Sequence, residues 1–160
     1  MTRSEILNSL TEAQVVGLTI WAESRSEPIE GQIAVGCVLR NRMRAARGKA
    51  WGLGWKGVCL HPWQFSCWNE GPDKNYKMVI SEANNLATGF AAGPQLATDI
   101  HIAEGIIKGV YIDPSNGASH YYAPKAMVPP GSVPIWVTPK AILTTVIANH
   151  RFYKAATGYL

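Results

Sequence analysis

The dipeptide Glu27-Pro28 constrains this chain most, because it breaks what would otherwise read as one long apolar helix. Proline disfavours helical geometry in the residue before it. Its own fixed φ suits the first turn of a new helix. Upstream, Thr11 is placed to cap a helix, and Gln14 three residues on completes a capping-box pattern. Val15, Leu18 and Ala22 make a helical stripe that Val16 and Ile20 widen, and the helix is expected to end around residues 24–26. Downstream, Ile33, Val35, Val38 and Leu39 form much of a second buried face, running to about Arg44 or Ala46. The two helices meet at an elbow crowded by three carboxylates, Glu23, Glu27 and Glu30.

Beyond the elbow, residues 47–75 read as irregular. They hold Trp51, Trp55, Trp63 and Trp68, and so long a loop without periodicity is functional or disordered. Its aromatic content argues against disorder. Helices are expected near residues 74–86 and 94–108. The β-branched and aromatic residues of 110–122 and 134–153, broken by Pro and Gly, predict short strands or extended segments. The expected fold is α+β, mostly helical with a small β element, built as one catalytic domain over residues 1–160.

The 160 residues and 47% hydrophobic content suffice for one good core. A formal charge of +4 allows attraction to a polyanion such as nucleic acid, membrane or cell wall. The basic residues form no long run; the densest group is Arg40, Arg42, Arg44, Arg47 and Lys49, part of which extends a helix. No nucleic-acid partner is expected. Cys37, Cys59 and Cys67 cannot all pair internally; Cys37 reads as a buried thiol, whereas Cys59 and Cys67 stand near enough in sequence to approach each other. Residues 1–10 hold no apolar run of signal-peptide length, and no apolar stretch is long enough to span a bilayer. Stable membrane insertion is therefore not expected, and the chain is expected to act as a monomer.

Glycan cleavage needs a carboxylic acid that can protonate a glycosidic oxygen, and apolar surroundings and nearby like charge both favour the protonated form. Glu23, beside Trp21 and Ala22 at the end of an apolar helix, is the candidate. The competing account is three solvated helix-end charges, or partners for Arg25 and Arg40. In the Trp-rich loop, Trp63-Gln64-Phe65-Ser66-Cys67-Trp68-Asn69 interleaves aromatic rings with amides and a hydroxyl, a composition suited to sugar faces and sugar hydroxyls. The same rings also suit a core that pins the loop. His61, His101, His120 and His150 fit no HExxH spacing, and no CxxC, GxSxG or phosphate-loop pattern occurs. No metal or other cofactor is expected, and His120 and His150 are read as structural.

The stretch Trp21-Ala22-Glu23-Ser24-Arg25-Ser26-Glu27-Pro28, with Glu30-Gly31-Gln32, Ala34-Val35 and Leu39-Arg40-Asn41-Arg42, resembles the SleB family of cell-wall hydrolases, the spore cortex-lytic type. Residues 58–68, the patch Ala118-Ser119-His120-Tyr121-Tyr122 and the patch Asn149-His150-Arg151-Phe152-Tyr153 extend the likeness over about residues 12–154. Ala22, Ser24 and Ser26 stand where the family pattern has Gly, Ala and Gly. The resemblance implies a lysozyme-like domain related to lytic transglycosylases, acting on peptidoglycan glycan strands, with Glu23 as the catalytic acid. It further implies substrate contacts from Gln64, Phe65 and Ser66, stacking on Trp63 or Trp68, and an opposite wall from Tyr121 and Tyr122.

Spore-acting relatives usually carry a leader and a wall-binding domain, so the expected setting is a phage endolysin held in the host cytoplasm until a membrane lesion releases it. An excised catalytic domain is the other explanation. A hydrolytic muramidase is the near rival and would need a second carboxylate. Glu27 is the candidate, about 5–6 Å away at Cβ if helical geometry held; Glu30 is a weaker one. A zinc amidase and an inactive wall-binding module are the readings from other classes.

Overall fold

A computed structural model describes residues 1–45 and 54–159. Six helices lie among them: α1 (Arg3–Ser9), α2 (Glu12–Ser24), α3 (Ile29–Arg44), α4 (Gly54–Leu60), α5 (Lys74–Ala87) and α6 (Pro94–Lys108). Three strands follow, β1 (His120–Tyr122), β2 (Ile142–Ile147) and β3 (His150–Lys154), forming an antiparallel sheet in the order β1-β3-β2. The architecture is the mostly helical α+β fold with a small sheet that the sequence predicts.

The central element is α2. Both halves of its capping box form: Gln14 N–H donates to the Thr11 hydroxyl at 3.1 Å, and Thr11 N–H donates to the Gln14 side chain at 2.9 Å. Val15, Val16, Gly17, Leu18, Thr19 and Ile20 are fully or nearly enclosed, so this helix is buried around its circumference rather than along one stripe. Gly17 permits the tightest approach, since a Cβ there would lie 2.7 Å from the Ile100 backbone of α6.

Helix α3 joins two cores. Cys37 and Leu39 pack with α2 and α6, while Ala34, Val35 and Val38 meet Ala118, Ile147 and Phe152 of the sheet region. Ile33, expected on the buried face, is only partly covered. The segment leading into β1 is tied down by Asp113, which accepts from Ser115 N–H, the Ser115 hydroxyl and Gly117 N–H. The Asn41 amide of α3 donates to Asp113 and to the Ala118 carbonyl, both at 2.9 Å. This clamp fixes where β1 starts relative to α3.

Two elements depart from expectation. Helix α1 was not foreseen, although Thr2 and Glu5 form a full capping box. The segment expected to be irregular contains α4 and a 3₁₀ turn, Ser66–Trp68. Ala46, Arg47, Lys49 and Trp51, which figure in the readings of the helix end, the basic cluster and the loop, lie outside the described residues. All three cysteines are buried and unbonded, so Cys59 and Cys67 form no disulfide.

Candidate active site

Helix α2 ends where its own sequence ends it. The Ser24 hydroxyl turns back to the Ile20 carbonyl at 2.6 Å, and Glu27 N–H closes a turn on the Ser24 carbonyl at 2.9 Å. Pro28 then takes an extended conformation, φ −63° and ψ 161°, and α3 begins at Ile29. The elbow leaves Glu23 in the last turn of α2, half-buried and facing the sheet.

Three neutral or cationic groups surround that carboxyl. The Tyr121 hydroxyl donates to Glu23 Oε2 at 2.7 Å. Burial and the Glu23 charge hold the Tyr121 hydroxyl well above its ordinary value, so it stays a donor. The Cys67 thiol faces the same carboxyl; burial and then the Glu23 charge raise it well above the usual thiol range, keeping it protonated and inert. Arg42 of α3 is 8% exposed. Its Nε donates to the Ser119 carbonyl at 2.7 Å, its Nη1 donates to the Gln64 carbonyl at 3.0 Å, and its guanidinium lies 4.8 Å from the centre of the Phe65 ring. Burial lowers the Arg42 pKa, and the Tyr121 and Glu23 groups oppose that shift. Arg42 therefore binds the Trp-rich loop to the strand carrying Tyr121 and sets a positive charge behind Glu23. The second oxygen, Glu23 Oε1, is buried.

Two clefts meet at Glu23. One, about 690 Å³, runs past Arg25, Ser26, Lys74, Asn75, Met78 and His150. The other, about 280 Å³, is lined by Arg42, Trp63, Gln64, Ser66, His120, Tyr121 and Trp136. An acid at the junction of two clefts faces the middle of anything long enough to occupy both.

The expected site residues separate cleanly by position. Trp63, Gln64, Ser66 and Tyr121 line the smaller cleft. Trp63 is 83% exposed and held in the left-handed region at φ +67°, its N–H on the Asn69 side chain at 3.2 Å. Phe65 and Trp68 are each 2% exposed and belong to the core, which corrects their reading as substrate contacts. Phe65 lies under Arg42, and Trp68 Nε1 donates to the Thr19 hydroxyl at 2.9 Å. Tyr122 is also corrected: unlike its neighbours His120 and Tyr121, it does not line the smaller cleft. Tyr122 is 8% exposed, against Trp136 and Tyr153.

Glu27 is near the acid but engaged. Its Oε1 lies 3.3 Å from His150 Nδ1, and its Oε2 accepts from the Asn149 amide at 3.5 Å. Its side chain is 4% exposed. Glu30 is exposed. Arg25 pairs with neither acid; it stacks at 4.1 Å on Trp21 and donates to Asn75 at 2.7 Å. Sequence reasoning gave no role to Arg42 or Trp136, and it placed His120 and His150 in the structure rather than on a cleft. Arg42 did lie in the quoted Leu39-Arg40-Asn41-Arg42 patch; Trp136 lay in no patch at all. Burial and then Arg42 bring the His120 pKa down to about 4, so that ring is neutral. Among the described residues, no group of three or more His, Cys, Asp or Glu is placed to hold a metal ion, and no helix is long and apolar enough to cross a membrane.

A carboxyl that borders two adjoining clefts marks an enzyme site. The chain belongs to the cell wall hydrolase family, whose sequence model matches residues 26–153. That match begins just after Glu23 and does not include it. Among solved structures, the chain is similar to the catalytic domain of the Bacillus cereus SleB protein, at 21% identity and a TM-score of 0.59 over 89% of each chain. It is equally similar to the catalytic domain of the germination-specific lytic transglycosylase SleB from Bacillus anthracis, at 21% identity and a TM-score of 0.58 over 96% of this chain and 97% of that one. These likenesses establish the fold. No curated protein sequence matches significantly.

Proposed function

We propose that the protein cleaves the bond between N-acetylmuramic acid and N-acetylglucosamine in peptidoglycan as a lytic transglycosylase. Glu23 as general acid gives a proton to the glycosidic oxygen, and positive charge grows at the muramic anomeric carbon. The Glu23 carboxylate then takes the proton of that sugar's own 6-hydroxyl, whose oxygen closes a 1,6-anhydro ring. One proton leaves Glu23 and one returns, and no water is consumed. Tyr121 donates to the carboxylate that forms midway, and Arg42 adds a fixed positive charge behind it.

The observation that carries this reading is the contrast between Glu23 and Glu27. Glu23 stands at the junction of the clefts. Glu27 is enclosed by His150 and Asn149, a poor position for activating water in a hydrolytic muramidase. The name of the Bacillus anthracis relative agrees with this choice. Clearing of a purified peptidoglycan suspension tests the assignment: Glu23→Gln should abolish clearing while leaving the circular dichroism spectrum intact. An active Glu23→Gln protein would end the proposal.

The biological setting proposed with this activity is a phage endolysin that accumulates in the host cytoplasm. Expression inside a bacterial host should then cause lysis only when the inner membrane is also breached. Lysis without a breach would contradict it.

A further inference from the structure

His150 and Glu27 make up a second polar unit in the larger cleft, beside Glu23 and unused by the mechanism above. Both are well buried, with side chains 8% and 4% exposed. The His150 ring is wedged between aromatic neighbours, with its centroid 5.0 Å from Tyr121 and 6.1 Å from Phe152. Its Nδ1 faces Glu27 Oε1 at 3.3 Å. Nδ1 makes no hydrogen bond, so it is the charge of the nearby carboxylate that favours the proton on Nδ1 and leaves Nε2 as an acceptor. Such contacts commonly tighten once substrate is bound.

The geometry points to His150, held in one tautomer by Glu27, as a substrate-binding residue whose Nε2 accepts a hydrogen bond from an O–H or N–H group of the sugar in the larger cleft. This rests on the glycan-cleaving reading. The charged and titratable groups facing the ring are Glu27 at the elbow, Glu23 on α2 and Tyr121 on β1. Arg25, Asp73 and Lys74 line the same cleft. Burial brings the ring below its ordinary 6.5, while Glu27 and then Glu23 oppose that shift. His150 is therefore neutral at neutral pH and an acceptor there. Once protonated it has no lone pair to offer, so binding weakens as the pH falls.

The test is calorimetric binding of an N-acetylglucosamine–N-acetylmuramic acid tetrasaccharide to the inactive Glu23→Gln protein between pH 4 and 8. Affinity should fall at the acid end. Glu23→Gln/His150→Gln keeps an acceptor that does not titrate, so it should bind comparably at pH 7.5 and lose the acid fall. Glu23→Gln/His150→Phe should bind about tenfold more weakly at pH 7.5, the loss of one hydrogen bond. An acid fall that persists in the His150→Gln protein overturns the inference, and that variant decides alone if the Phe variant does not fold. Absence of binding by the Glu23→Gln parent at every pH would count against the glycan reading instead.

Discussion

The Tyr121 hydroxyl sits 2.7 Å from Glu23 Oε2, joining the last turn of α2 to the first strand of the sheet across 98 positions of sequence. Everything else at the site serves that meeting. The elbow at Pro28 places Glu23, the Asn41–Asp113 clamp places β1, and Arg42 ties the Trp-rich loop to Ser119, just before β1.

Tyr121→Phe removes the donor and keeps the ring between Phe152 and His150. The expected result is a kcat lower by about 100- to 1000-fold, the scale for losing one donor to a charge that develops in the reaction. KM should change little and the melting temperature should hold within a few degrees. An unchanged kcat would remove Tyr121 from the mechanism.

The elbow and both flanking helices were legible because caps, proline and periodicity are local signals. Tyr121 beside Glu23 was not, because nothing local reports an approach between residues so far apart. Family likeness supplied the Tyr-Tyr patch, and only the hydrogen bond in the fold shows which tyrosine faces the acid. The aromatic loop misled in the other direction. Composition told that rings gather there, but only packing separates exposed Trp63 from enclosed Phe65 and Trp68. Helix α4 escaped notice because Gly-Trp-Lys-Gly-Val-Cys-Leu has no amphipathic period and is held by the burial of Val58 and Cys59.

The two tryptophans should therefore respond differently. Trp63→Ala removes an exposed ring from the smaller cleft, so KM for glycan should rise roughly three- to tenfold with the melting temperature nearly unchanged. Trp68→Ala should cost about 3–5 kcal/mol of stability. Denaturant unfolding and steady-state kinetics on both proteins check the contrast. Equal effects of the two would contradict the division between groove and core.

Arg42 is predicted to matter for stability as well as rate. Arg42→Met strands the Ser119 and Gln64 carbonyls and should cost about 3 kcal/mol. For a domain of this size that lowers the melting temperature by roughly 6–12 °C. Arg42→Lys should recover part of the loss, since an ammonium does not match the spread of a guanidinium fork. Thermal unfolding followed by circular dichroism measures both.

Asp99 on α6 gives the protein a pH-dependent weakness away from the site. It is 0% exposed, both carboxyl oxygens lack partners, and burial raises its pKa from 3.8 to about 7. An acid whose pKa is higher in the folded chain contributes stability that is complete below about pH 4 and is lost as the pH rises through about 7. Asp99→Asn should raise the melting temperature by several degrees at pH 8 and change it little at pH 4. The reverse ordering would show that the buried carboxyl is satisfied.

The most direct test of the central claim is the mass of the fragments released from purified peptidoglycan by the wild-type protein. Single-acid chemistry at Glu23 predicts anhydromuramic ends, lighter by one water than hydrolysed ends. Reducing muramic ends would contradict the transglycosylase route and return Glu27 to consideration as a second carboxylate. Cut peptide stems on intact glycan would contradict glycan cleavage altogether.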